Sequence, residues 1–288
     1  MPLNDHGAFT AAFAWPAPAK LNLFLHVVGR REDGYHELQT VFQFTDFCDR
    51  LYFVPRGDTE IRRLDGPAGI PADQDLSVRA ARLIQRASGC QLGADIRIDK
   101  RIPLGAGLGG GSSNAATTLV ALNRLWNLGF TLDELATLGL SLGADVPVFV
   151  RGQAAWAEGI GERLTPVTPA EPWYVIVIPA VQVSTAEIFS APALQRDCAP
   201  ISYAEFLAGS GSNICEPVTT ARHPDVGAAL AALRQHGAAR MSGTGASSFL
   251  ACPTREDAER IAAQLPAGWT RVVARGLNIS PLREAMAR

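Results

Sequence analysis

Between Pro103 and Ala116 the chain reads Pro-Leu-Gly-Ala-Gly-Leu-Gly-Gly-Gly-Ser-Ser-Asn-Ala-Ala, with glycines at 105, 107, 109, 110 and 111. An amphipathic stretch follows at once, with Ala115, Leu119, Leu122 and Trp126 on one helical face. A glycine loop opening a helix concentrates free backbone N–H groups at the positive end of the helix dipole, which is a place for an anion. A Cβ in such a loop obstructs both positive φ and the close approach of a phosphate. The immediate helix argues against a flexible linker.

Three phosphate loops compete for this pattern. Gly105-x-Gly107-x-x-Gly110 fits the dinucleotide fingerprint literally. That fingerprint also asks for an acidic residue at a strand end about 20 residues later, within a parallel β-α-β unit. Here no such acid follows and the preceding strands read as antiparallel. A Walker loop needs Gly-Lys-Ser/Thr, whereas Ser112 follows Gly111 directly. A different phosphate loop, with serines opening the helix, fits best.

Around the loop, Lys20 to Val28 alternates, with Leu21, Leu23, Leu25 and Val27 on one side and Lys20, Asn22, Phe24 and His26 on the other, the period of a strand. A turn at 29–34 and extended segments at 38–47, 50–54 and 96–98 follow, with a helix over 76–87. Thr131 and Glu134 have capping-box spacing. Residues 146–150 and 153–157 read as a hairpin around Arg151-Gly152, with Asp145 in the turn before it. Pro166 to Pro172 is a proline-rich connector. Beyond it come a strand (173–178), helices (about 185–195 and 224–236), strands (239–242 and 247–251), a helix (254–265) and a last strand (270–274). That order predicts a β-α-β-β-α-β sandwich with additions, and an α+β chain divided into residues 1–165 and 166–288.

Composition narrows the function. The 288 residues are 47% hydrophobic with a net charge of −2, ordinary for a globular protein and without the basic excess of a nucleic-acid or membrane-surface binder. The longest apolar run, 173–181, contains Pro179 and is far short of the about 20 residues of a membrane span. The first residues lack the basic and apolar regions of a signal peptide, so a cytoplasmic protein is expected. Five scattered cysteines without CxxC spacing indicate neither a disulfide framework nor a zinc site. Of 26 basic residues only Lys20 and Lys100 are lysine. An ammonium is a compact point charge where arginine is a planar fork, and both lysines lie in informative places.

The 103–116 segment resembles the phosphate loop of the GHMP kinases, and its two extra glycines before Ser112 are similar to a branch acting on a cytidylylated methylerythritol. Other segments agree in order: Pro18-Ala-Lys20-Leu-Asn22, Gly29-x-x-x-Asp33-Gly-Tyr35-His36 with Thr40, and Gly143-Ala-Asp145-Val-Pro-Val-Phe149. So do Ala157-Glu-Gly-Ile-Gly-Glu162, Ser242-Gly-Thr-Gly-Ala246 and Gly276-Leu-Asn-Ile-Ser-Pro281. Only the first 14 residues fall outside the resemblance.

The resemblance implies a two-domain fold, a ribosomal-protein-S5-like β-α domain followed by a ferredoxin-like sandwich whose last residues pack back on the first domain. It implies transfer of a phosphoryl group from ATP, with Mg²⁺, to the 2-hydroxyl of the cytidylylated polyol; a homoserine or mevalonate type of acceptor is the alternative. Asp145 matches the family's catalytic base and Lys20 the lysine beside it; an Asp at such a place can also simply cap a turn. A carboxylate in reach accepts the proton of an attacking alcohol, and an ammonium stabilises the charge growing there. ATP is expected against Lys100, Pro103, Gly105, Gly107, Leu108, Gly109, Gly110, Gly111, Ser112, Ser113 and Asn114. The acceptor is expected against Asn22, Tyr35, His36, Asp145, Thr185, Phe189, Thr244 and Gly245, with Tyr35, His36 and Phe189 around the cytosine. Some relatives hold Mg²⁺ with a helix glutamate plus the loop serine, but the only glutamate between Ser112 and Asp145 is Glu134, in the capping box, so no metal ligand is assigned beyond the candidates Ser112 and Ser113. His6, His223 and His236 read as surface residues. No nucleic-acid or membrane partner is expected, and the chain is read as a monomer or homodimer.

Overall fold

A computed structural model describes residues 13–32 and 34–287; Asp33 of the sequence motif and His6 lie outside the described residues. The first half is built on two long strands, β1 (Trp15–Arg30) and β2 (His36–Arg56), paired antiparallel. The two extended segments expected at 38–47 and 50–54 are one continuous strand. Its neighbours explain the length: β1, β4 (Gly93–Asp99), β5 (Ala155–Gly159) and the end of β10 (Thr270–Leu277) all pair with it. Strands β3 (Ile61–Asp65) and β6 (Arg163–Pro166), not expected from the sequence, extend the edges beside β4 and β5.

Helices α1 (Leu76–Ser88), α2 (Gly110–Leu125), α3 (Leu132–Leu140) and α4 (Val146–Arg151) cover this sheet. Leu119, Leu122, Phe149 and Ile96 are among the fully buried side chains of the resulting core. The Thr131–Glu134 capping box forms as expected, with both reciprocal bonds present. The hairpin expected at 146–157 does not form: Val146–Arg151 is a helix ended by Gly152 at φ +63°. A short run of apolar residues buried on every side has no alternation, so strand and helix look alike in sequence. Pro147 sits in the first turn, where its missing N–H costs nothing.

In the second half, β7 (Trp173–Ile178), α8 (Pro224–Arg234), β8 (Arg240–Met241), β9 (Ser248–Cys252), α9 (Arg255–Gln264) and β10 follow the β-α-β-β-α-β order. Their spatial order is β10-β7-β9-β8, fourth, first, third and second, which is the ferredoxin-like arrangement. Short helices α5 (Thr185–Ser190), α6 (Tyr203–Leu207) and α7 (Glu216–Arg222) are inserted between β7 and α8. The helix expected to reach 195 stops at Ser190. The sheets meet through β10, which pairs with β7 over 270–275 and with β2 at Gly276 and Leu277. A last helix, α10 (Pro281–Met286), puts Leu282 into the core of the first half.

Candidate active site

A cleft of about 420 Å³ opens where the glycine loop, β1 and the first turn of α4 converge with the second half of the chain. Its floor is the loop itself, from Pro103 to Ser112. Helix α2 begins at Gly110, earlier than the apolar spacing from Ala115 suggested, so the last glycines are already its first turn. Its N-cap, Gly109, is left-handed at φ +69° and supplies no side-chain capping bond. The first N–H groups of a 16-residue helix are therefore left for an anion.

Close packing of the loop against other chain segments is what demands glycine here. A Cβ on Gly107 (φ +74°) would lie 2.4 Å from the Ser242 carbonyl oxygen and 2.5 Å from that of Gly245. One on Gly109 would meet the Phe149 ring at 2.8 Å and Lys20 Cε at 3.1 Å. The second half grips the loop through hydrogen bonds: Ser242 Oγ donates to Gly107 O (3.1 Å), Ser247 N to Ala106 O (3.0 Å) and Val183 N to Gly105 O (3.3 Å).

Lys20 and Asp145 lie 125 positions apart in the chain, and their side chains meet at the cleft wall, Nζ to Oδ2 at 3.3 Å. The Lys20 side chain is 5% exposed and that of Asp145 31%. Lys20 also donates to Asn22 Oδ1 and sits 5.1 Å from the centroid of the Phe42 ring. Asn22 Nδ2 donates in turn to Thr40 Oγ1 (3.0 Å). Asp145 does not open a strand, as the sequence suggested; it occupies the N-cap of α4 but makes no capping bond, so its carboxylate is left for Lys20 and the cleft. A bulge between Asn22 and Leu25 shifts the alternation of β1, and Leu25 rather than Phe24 joins Lys20 and Asn22 on the cleft side. Phe24 instead packs against Trp156 and Phe206.

At one end of the cleft, Lys100 reaches over the start of α2, where a Cβ on Gly110 would come within 2.9 Å of its Nζ. It pairs with the fully buried Asp49, which also accepts from Arg101 N and Ile102 N at 2.7 Å each. The Asn114 amide, turned with its nitrogen inward, donates to Asp49 Oδ2 (2.8 Å) and Gly110 O (3.0 Å). The wall here carries the apolar Pro67, Ile70 and Leu76 beside Gln74 and Asp75, none of them anticipated. Arg63 holds that segment by donating to Ile70 O (2.6 Å) and Asp75 Oδ2 (2.7 Å). The signal available was the Pro- and Gly-containing run at 66–71 just before a helix, a common form for a binding loop.

At the other end stand Thr185, Phe189, Gly243 and Thr244, with Thr185 and Thr244 hydroxyls 3.1 Å apart. Gly245 lies behind this turn, where its carbonyl meets Gly107. Ser113 is buried away from the cleft while Ser112 lines it. Tyr35 and His36 are not part of the cleft wall: Tyr35 is 61% exposed, and His36 stacks on Phe189 with ring centroids 5.2 Å apart. That spacing leaves no room for a base between those two rings.

Comparison with known proteins agrees with the fold. GHMP kinases N terminal domain matches residues 75–153 and GHMP kinases C terminal matches 192–271. The chain is 55% identical over 274 residues to a 4-diphosphocytidyl-2-C-methyl-D-erythritol kinase of Nitrosococcus oceani, covering 95% of this chain and 98% of the relative. It is 55% identical over 271 residues to the Pseudomonas aeruginosa protein of that name, covering 94% and 96%. A crystal structure of a 4-(cytidine 5'-diphospho)-2C-methyl-D-erythritol kinase superimposes with a TM-score of 0.80 at 35% identity, covering 92% of this chain and 99% of that one. A homoserine kinase from Cytophaga hutchinsonii shares the fold, with a TM-score of 0.67 at 17% identity over 93% of this chain and 95% of that one. With both halves matched in order and more than half of the aligned residues shared along nearly the whole length, the chain belongs to the 4-diphosphocytidyl-2-C-methyl-D-erythritol kinase family of the GHMP kinases.

Proposed function

We propose that the chain transfers the γ-phosphoryl group of ATP to the 2-hydroxyl of 4-diphosphocytidyl-2-C-methyl-D-erythritol, releasing ADP and the 2-phosphate. The observation that carries this reading is the 3.3 Å approach of Lys20 to Asp145 beside an uncapped helix N-terminus. The amides at 109–112 hold the phosphates, and Lys100 with the apolar wall at Pro67, Ile70 and Leu76 takes the nucleoside. Asp145 accepts the hydroxyl proton as the oxygen attacks phosphorus, worth about 10²- to 10⁴-fold in rate. Lys20 stabilises charge on the attacking and transferring oxygens, and Asn22 orients the polyol. The cytidine end lies toward Phe189, and its binding energy positions the reacting hydroxyl.

Mg²⁺ binding usually relies on one or two carboxylates plus substrate phosphates and waters rather than an all-protein cage. The donors present suit such an ion: Ser112 and Asp145 line the cleft, a hydroxyl and a carboxylate beside the phosphate loop. Bound with ATP, such an ion would neutralise phosphate charge, and Ser112, on the cleft wall where Ser113 is buried, would be the loop hydroxyl to hold it. We take the chain to act as a monomer or a homodimer. We assign the reaction to the cytoplasm; no helix among the described residues is long and apolar enough to cross a membrane.

A coupled ADP-release assay with the cytidylylated polyol, homoserine and mevalonate tests the acceptor; turnover only with the last two would overturn it. Asp145→Asn is expected to bind ATP and acceptor while losing at least 10²-fold in kcat. Near wild-type turnover in that variant removes Asp145 from the mechanism.

A further inference from the structure

Arg196 follows α5 in a segment without regular structure, and its guanidinium is shared among four acceptors. Nη2 donates to Phe189 O (3.0 Å) and Ala191 O (2.8 Å), and Nη1 to Leu194 O (2.9 Å). These are carbonyls at and just beyond the C-terminal end of α5, where a cation is favoured. The fourth acceptor comes from a distant part of the chain: Nε donates to His36 Nε2 at 3.1 Å. One side chain thus ties the segment carrying Phe189 to the start of β2, and the His36 ring lies on the Phe189 ring at an interplanar angle of 23°.

An arginine has five N–H donors and no acceptor, so its partner nitrogen must be the unprotonated one. The remaining proton of a neutral imidazole is then on Nδ1. An imidazolium would set N–H against N–H and charge against like charge. His36 is accordingly held below the ordinary histidine range, first by burial and then by the charges of Arg196 and Arg30. Among the described residues His36 makes no other side-chain hydrogen bond, which leaves Nδ1–H as a donor of fixed orientation.

We propose that Arg196 is a positioning residue for base recognition: it locks His36 in the Nδ1–H tautomer against Phe189, so that the ring presents a donor to the acceptor edge of a cytosine. Cytosine carries acceptors at N3 and O2, whereas uracil carries an N–H at N3. A ring nitrogen forced to donate therefore favours cytosine and opposes uracil, because mispairing leaves two donors facing each other. The inference rests on the reading above that the cytidine end of the acceptor lies at Phe189.

The test uses the full chain with CDP and UDP as probes, so it does not depend on phosphoryl transfer. Long-range ¹H–¹⁵N spectra report the histidine tautomers, with His36→Gln assigning the His36 signals. Isothermal titration gives the two affinities. We expect the wild type to show Nδ1–H at His36 and to prefer CDP. Arg196→Met should release the tautomer and weaken CDP about tenfold, with little change for UDP. In the His36→Gln background the same change should have no further effect on CDP, which separates action through His36 from general loosening of α5. With the cytidylylated polyol, the loss should fall on its KM and leave the KM for ATP unchanged.

Three results would overturn the proposal: an unaltered His36 tautomer in Arg196→Met, equal losses for CDP and UDP, or an undiminished effect of Arg196→Met in the His36→Gln background. A wild type without preference for CDP, but with a tautomer that follows Arg196, would instead overturn the placement of the cytidine at Phe189.

Discussion

Replacing Lys20 with methionine removes a charge while nearly conserving shape, and its consequence can be worked from the geometry. The lysine stem runs past Gly109 in a buried stretch of β1, where methionine fills similar space. What disappears is an ammonium 3.3 Å from Asp145 Oδ2 and bonded to Asn22 Oδ1. At an effective dielectric constant of 20, charges at that separation interact by about 5 kcal/mol. Asp145 is one-third exposed, so water takes over part of this in the ground state and the fold survives. In the transition state negative charge moves onto the attacking and transferring oxygens, and a lost fixed donor there costs about 3–4 kcal/mol. Lys20→Met is therefore expected to lose about 10²- to 10³-fold in kcat, with ATP affinity changed less than tenfold. The check is ADP release at saturating substrates beside calorimetric titration of ATP and a thermal melt. A folded variant with kcat within about threefold of wild type would refute the assignment. Lys20→Arg should fare little better, because a planar fork does not fit where a Cβ on Gly109 is already excluded by Lys20 and Phe149.

Further outcomes follow from the same contacts. Gly107→Ala forces a Cβ into two backbone carbonyls at a left-handed residue, so it should destabilise the fold by about 2–5 kcal/mol in urea melts; an unchanged midpoint would show that the loop does not dock on 242–245. His26 and His36 are both held below the usual histidine value of 6.5, His26 by burial, which outweighs a smaller opposing effect of the Ala199 backbone, so the unfolded chain takes up protons first. Stability should be level well above pH 6.5, fall as pH drops through 6.5, and flatten below the native values. His26→Gln should show a shallower slope between pH 7.5 and 5.5 in denaturant titrations; an unaltered slope would show that His26 does not contribute.

Much of this molecule was legible before any coordinates, because local chemistry governs it. A glycine loop feeding a helix, a capping box at Thr131 and a strand at 173–178 each follow from short-range rules, and each forms. Val146–Arg151 escaped those rules, since complete burial erased the periodicity that separates helix from strand. The edge strands β3 and β6 and the short helices α6, α7 and α10 escaped for a related reason. They are short segments whose stability comes from the neighbours they join rather than from their own pattern.

What residues 20, 22, 109 and 145 share could be named from the chain, but their meeting depends on a bulge in β1 and on α4 starting at the right place. The apolar wall at Pro67 and Ile70 has no signature, because any proline-bearing loop would look the same until Arg63 and Asp75 fold it over the cleft. Sequence wrote the chemistry that is available; the tertiary structure decided which groups face one another, since distances between remote residues are set by packing and by no local preference.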